Sequence, residues 1–172
     1  MLFRSPQLAR ADPTKFGVSV CSIDGQRYSL GDYKDKFSIQ STCKPFMYGL
    51  CLESLGSEVV EQFIGREPSG RYFNEIVMDH NGQPHNPMIN SGAIMSSALL
   101  LYMVRPEMSV SEKFEMATDY MRRLAGGKSV GFQNAVFLSE MEAADTNRAL
   151  TYFMREKGCF PKYDLKYFIK VL

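Results

Sequence analysis

The sequence has no apolar run long enough to span a bilayer, so no membrane helix is expected from it. Charge of one sign is also missing. Twenty Lys and Arg stand against 19 Asp and Glu, a formal net charge of +1, which gives no reason to expect nucleic acid or an acidic partner. Cys21, Cys43, Cys51 and Cys159 form no C-x-x-C pair and are expected as buried free thiols in a reducing compartment. The two histidines, His80 and His85, lie in a Gly/Pro-rich loop with Asp79, too small a ligand set for a metal site. No metal and no cofactor are expected. The first residues, Met1 to Ser5, contain no signal-peptide core and are too short for a transit peptide. That leaves a cytosolic chain or one whose targeting segment lies elsewhere.

What is present fits one globular domain of 172 residues with an ordinary apolar content. Phe16 to Ile23 alternates and is rich in β-branched residues, Asp24-Gly25 signals a hairpin turn, and Gln26 to Leu30 is the expected return strand. Phe37-Ser38-Ile39 then leads into Gln40-Ser41-Thr42-Cys43-Lys44-Pro45. Proline is tolerated only in the first turn of a helix, so one should start close to Ser41 and stop at Gly56. Apolar nearly all round, it is expected to be a buried central helix. A second helix is expected over residues 57–64. Residues 65–88 form a long loop, either a gate over a site or a surface excursion packed by its own side chains.

Asn90 is placed to cap a small-residue helix running to about Val104; its amide could instead meet a substrate. Gly92, Ala93, Ser96 and Ser97 would let another backbone come close. Ser109-x-x-Glu112 is a capping box opening a helix to Leu124, before Gly126-Gly127. Phe137 to Glu140 is expected as a short turn. The last helix runs from about Asp145 to Lys157, with Glu142, Asp145, Asn147 and Arg148 as its cap and solvated first turn.

Ser41-x-x-Lys44 is the only such pattern in the chain. Two readings of it stand about even. In one, Ser41 caps the helix and Lys44 is a surface residue. In the other, Ser41 is a nucleophile at a helix N-terminus, where negative charge is favoured, and Lys44 takes its proton from one turn on.

Gln40-Ser41-x-Cys43-Lys44-Pro45, His85 to Ile94, and Phe137-Leu138-Ser139-Glu140 with Asn147 resemble the glutaminases, serine amidohydrolases of the β-lactamase and penicillin-binding-protein fold. Gly17 to Val20, Asp24 to Arg27, Glu67 to Gly70 and Glu156 to Pro161 extend the likeness, which is greatest to the kidney- and liver-type branch. The resemblance implies that Ser41 attacks glutamine through a glutamyl ester, with Lys44 as proton acceptor. It implies substrate contacts at Ser41, Asn90, Glu140 (for the α-ammonium) and Asn147 (near the α-carboxylate). It also implies a gate at 66–82, association into dimers or tetramers near the helix from 145, and a mitochondrial or cytoplasmic setting.

Three departures accompany it. Arg4 replaces a family tyrosine, residues 162–172 stop looking like the family, and the second half of the catalytic domain is not in this sequence. That half would bring two tyrosines and a Lys-Ser-Gly strand, which Lys128-Ser129-Val130-Gly131 does not replace. The expectation is an α+β chain of β-lactamase/transpeptidase type, incomplete: the first hairpin plus the helical subdomain. Residues 1–161 would be the N-terminal part of the catalytic domain and 162–172 a divergent tail. Such a chain should be a weak or inactive glutaminase. A non-catalytic protein that associates with full-length subunits is the alternative. A penicillin-binding or β-lactam-hydrolysing protein is disfavoured by the Glu140 and Asn147 pair.

Overall fold

The computed structural model of the chain describes residues 7–72 and 74–162. Arg4, Phe73 and the tail from 163 onward lie outside the described residues. The architecture is α+β: an antiparallel hairpin, β1 (Gly17–Cys21) and β2 (Arg27–Gly31), followed by helices packed together. Asp24-Gly25 turns the chain as its residue types require, with Gly25 at φ +89°. The register pairs Val18 with Leu30 and Val20 with Tyr28, putting four apolar side chains on one face. Ser19 and Ser29 occupy the other, their hydroxyls 3.0 Å apart. Every residue of both strands is exposed, so the hairpin's apolar face is bare among the described residues.

Helices α1 (Lys44–Leu55), α2 (Ser57–Val60), α3 (Asn90–Tyr102), α4 (Val110–Leu124), α5 (Asn134–Glu142) and α6 (Asp145–Glu156) follow in order. The buried core joins Leu50, Cys51, Val60 and Ile64 to Met95, Ala98 and Leu99 of α3 and to Leu150 and Met154 of α6. The central helix is therefore α3, with eight of its residues buried. The expectation that the helix after Ser41 is buried is corrected: α1 buries only Leu50 and Cys51, and Phe46 is exposed. Small residues explain the exchange. Cys51 Sγ reaches the Ser96 carbonyl at 3.4 Å where Ser96 and Ala98 add little bulk to α3, while Gly92 admits the Asn86–Pro87 backbone.

Other expectations are adjusted. The helix expected over 57–64 shortens to α2, its remainder relaxing into a turn. Phe137 to Glu140 is helical, within α5, whose start is capped by the Gln133 side chain on the Ala135 N–H. Of the thiols only Cys51 is buried; Cys21 is exposed, and Cys43 and Cys159 are intermediate. The capping box of α4 is present in both directions, Ser109 Oγ accepting from Glu112 N and Glu112 Oε2 from Ser109 N.

The loop between α2 and α3 closes on itself. Gly65 N donates to Pro84 O at 2.9 Å and Glu67 N to His85 O at 3.0 Å. A Cβ on Gly65 would lie 2.7 Å from the His85 carbonyl oxygen, so the close approach requires glycine. The Asn86 side chain then spans both sides of the base, donating to Glu67 O and accepting from Met88 N and Ile89 N.

Candidate active site

Ser41 sits not in α1 but in the 3-10 turn Gln40–Cys43 just before it, and it is exposed. Lys44 is the first residue of α1, and its backbone N–H closes the turn on the Ser41 carbonyl. In a 3-10 turn side chains three apart eclipse, so the tighter winding sets Ser41 and Lys44 on one side more directly than an α-helix would. Pro45 accounts for the switch, since its ring and missing N–H confine it to the opening turn of an α-helix. Gln40 has φ +42°, a left-handed conformation that costs a non-glycine residue about 1 kcal/mol or more. The bend delivers the chain into the serine turn from Ile39, which already lies in the right-handed helical region. Nothing in the residue type announced it, because glutamine is no favourite of that region.

The Lys44 side chain is half-buried and crosses to the start of α3. Its Nζ donates to Asn90 Oδ1 at 2.8 Å and to the Met88 carbonyl at 3.0 Å. Burial pushes the amine below the ordinary lysine value, and the Cys43 thiol beside it works weakly the other way. The surface-residue reading of Lys44 is thereby corrected. So is the capping reading of Asn90: the N-cap of α3 is Ile89, which makes no side-chain cap, and Asn90 is the first helical residue. Asn90 uses its amide sideways, its Nδ2 donating to Asn147 Oδ1 at 2.9 Å.

Asn147 is half-buried in the first turn of α6 rather than solvated. The N-cap of that helix is Ala144, and Asp145 is an exposed first residue paired to Arg148 at 3.3 Å. Arg148 also donates to the Met141 carbonyl at 2.7 Å, fastening the end of α5 to the start of α6. Glu140, half-buried on α5, stands near that corner in sequence but is not hydrogen-bonded to the Lys44–Asn90–Asn147 chain.

Three helix N-termini are thus tied by side chains: α1 through Lys44, α3 through Asn90 and α6 through Asn147. Unpaired N–H groups and positive dipole ends at such places favour negative charge and disfavour an ammonium. Chemically, the cluster offers a hydroxyl, an amine with a lowered proton affinity and amide donors beside it. Sequence reasoning missed the Met88 carbonyl, whose only signal was its place two residues before a helix start. Among the described residues no group of three or more His, Cys, Asp or Glu could hold a metal ion.

Comparison with known proteins adds the following. A sequence model described as Glutaminase matches residues 4–171. A Caenorhabditis elegans relative carrying the glutaminase name is 47% identical over 157 residues, covering 91% of this chain and 25% of its own. The "Glutaminase liver isoform, mitochondrial" of Rattus norvegicus is 43% identical over 157 residues, with the same coverage of 91% and 25%. The crystal structure of Mglu in its native form matches with a TM-score of 0.79 at 35% identity, covering 91% of this chain and 38% of that one. The chain therefore spans about a quarter of the length of the curated relatives it first matches. The structural likeness bears out the fold class: an α+β arrangement corresponding to part of a β-lactamase-like fold.

Proposed function

The chain belongs to the glutaminase family, and from that premise we propose that it carries the nucleophile half of a glutamine-hydrolysing site. Ser41 Oγ attacks the side-chain amide carbon of L-glutamine while Lys44 takes the hydroxyl proton. The proton passes to the leaving nitrogen, ammonia departs, and the glutamyl ester on Ser41 is hydrolysed by water to glutamate. Asn90 and Asn147 contact the substrate, with Asn147 near its α-carboxylate and Glu140 facing its α-ammonium. The observation that carries this reading is the seat of Lys44. Two acceptors hold its hydrogens, at 2.8 and 3.0 Å, and burial lowers its pKa. An amine held at the start of α1 by these acceptors, and disfavoured as the ammonium by burial, is suited to take the serine proton.

The chain by itself is a weak or inactive catalyst in this proposal. Ser41 is exposed and the hairpin's apolar face is bare among the described residues, whereas amide hydrolysis needs donors fixed around the oxyanion. One missing donor costs about 10²–10³ in rate. The loop at 66–82 is the gate, its pinned base linked by Asn86 to the backbone that holds Lys44. Association into dimers or tetramers uses the outer face of α6, where Tyr152 is exposed, while Leu150, Thr151 and Met154 face the core. The rat relative's name supports the mitochondrial of the two compartments.

The test is covalent. A glutamine analogue carrying an electrophile at its side-chain carbonyl position should label Ser41, as read by peptide mass spectrometry, and excess glutamine should protect it. Ammonia release from glutamine should not exceed that of the Ser41→Ala variant. Labelling elsewhere, or labelling of Ser41 that glutamine does not slow, would sink the site. Turnover at the rate of a complete glutaminase would sink the proposal of weakness.

A further inference from the structure

We propose that Asn90 is a positioning residue: it hands the donor character of Lys44 on to Asn147, so that Asn147 presents only hydrogen-bond donors to its ligand. The inference rests on the reading of Asn147 as a substrate contact. It explains why that contact selects a carboxylate.

The argument runs along the bonds. A lysine ammonium has three hydrogens and no lone pair, so the atom of Asn90 that meets it at 2.8 Å must be the amide oxygen. When the amine is neutral its lone pair is needed at Ser41, and its hydrogens again face Met88 O and Asn90 Oδ1. With Oδ1 turned to Lys44, the atom of Asn90 that faces Asn147 is Nδ2. The Asn147 amide must then answer with its oxygen, as it does at 2.9 Å. An asparagine has one oxygen and one NH2 at its tip, so the remaining end of Asn147 is Nδ2, with hydrogens to give. A carboxylate, which only accepts, matches that end. A carboxamide offers one acceptor and one clashing donor. The backbone keeps the orientation from being lost by tilting: Asn147 lies in the first turn of α6, and its own carbonyl is held by Thr151 Oγ1 at 2.8 Å.

Asn90→Asp reverses the sequence of donors and acceptors at nearly constant shape. Aspartate accepts at both oxygens. It keeps Lys44 and obliges Asn147 to turn its NH2 inward, leaving Oδ1 to face the ligand. The experiment has two arms on the purified chain, neither requiring turnover. In the first, binding of L-glutamine and of its α-carboxamide is measured by NMR titration. The unsubstituted protein should favour the carboxylate by roughly tenfold or more, the effect of one mismatched polar pair, and Asn90→Asp should lose or invert that preference.

The second arm needs no ligand. Asn147 side-chain amide protons should move downfield in Asn90→Asp as they become donors to a carboxylate, while the corresponding Asn90 signal disappears. A purely structural role for Asn90, or simple repulsion by the new charge, would leave the Asn147 amide signals in place. Unmoved signals would overturn the proposal, as would equal affinity of the unsubstituted protein for both ligands. Should neither ligand bind, the glutamine-recognition reading falls, and the amide signals alone decide the donor relay. Should Asn90→Asp not fold, Lys44→Met supplies the comparison. It removes the group that dictates the orientation, so the Asn147 amide protons must show two environments; a single unshifted one refutes the relay.

Discussion

A methyl group added at Gly92 should destabilise the chain, although helix propensity alone argues the reverse. Replacing a helical glycine by alanine gains up to about 1 kcal/mol when the backbone is unhindered. At Gly92 it is hindered. An added Cβ would stand 2.7 Å from Pro87 Cα and 2.8 Å from the Asn86 carbonyl carbon, and closer still to the Asn86 oxygen. All three are backbone atoms, so the segment must move bodily, and overpacking of that kind costs about 1–3 kcal/mol. The clash outweighs the propensity gain by up to about 2 kcal/mol, which for a chain of this size lowers Tm by up to roughly 8 °C. Gly49 in α1 is the control. There the added Cβ meets only the Tyr120 hydroxyl at 3.1 Å, the far end of a side chain that can swing. Gly49→Ala should therefore be neutral or stabilising by up to about 1 kcal/mol. Urea and thermal unfolding followed by circular dichroism read both. The same displacement should carry the Met88 carbonyl off Lys44, so Gly92→Ala should also weaken labelling of Ser41. A Gly92→Ala protein more stable than its parent, or a Gly49→Ala protein equally damaged, would refute the reasoning.

The Lys44 amine has a folded pKa below its unfolded one, so between the lowered and the ordinary lysine value the unfolded chain binds more protons and stability rises with pH. Lys44→Met should remove that rise from a series of urea titrations at alkaline pH; equal slopes in parent and variant would contradict it. Ser109→Ala removes the hydroxyl that accepts from Glu112 N in the α4 capping box, leaves the backbone N–H to Glu112, and should cost about 1 kcal/mol, read as a fall in urea midpoint. Burial pushes the Cys51 thiol up to about 12, whereas Cys21 is exposed. Iodoacetamide at mildly alkaline pH should therefore modify Cys21 first and Cys51 last, by mass spectrometry, and early loss of Cys51 would count against the packing of α1 on α3.

Local signals carried the elements whose cause is local. The Asp24-Gly25 turn and the Ser109–Glu112 box are made by residues adjacent in sequence, and both stand where their residue types put them. Burial was less legible, because apolarity names a candidate for the core and not its neighbours. The stretch 44–55 is as apolar as a central helix should be, yet α3 takes the centre since its small residues admit a partner on more than one side. Helix α5 was hidden by its shortness, and its stabilising bond comes from α6, through Arg148 to the Met141 carbonyl. At the site, Ser41 and Lys44 could be placed in one turn from spacing alone, and there the Lys44 backbone N–H meets the Ser41 carbonyl. The link from Lys44 to Asn90, 46 residues away, and from Asn90 to Asn147, 57 away, could not. An asparagine at a helix start reads as a cap by every local criterion, and only the neighbouring helix shows that its amide is engaged elsewhere.

The loop that closes on itself through Gly65–Pro84 and Glu67–His85 has a consequence for how this region can vary. The two ends are hydrogen-bonded to each other, Met78 packs against the core and Cys159 Sγ donates to the Gly82 carbonyl at 3.0 Å, so the rest of the fold senses the base and the returning arm rather than the contour near Gly70. Doubling the number of residues in a flexible loop costs only about 0.6 kcal/mol in closure entropy. Gly70 is exposed and already in a left-handed conformation, with nothing within 4 Å of where a side chain would begin. Insertions there should leave α2 and α3 in place, so the contour near Gly70 is free to change in length while Gly65 and Asn86, at the base, stay fixed.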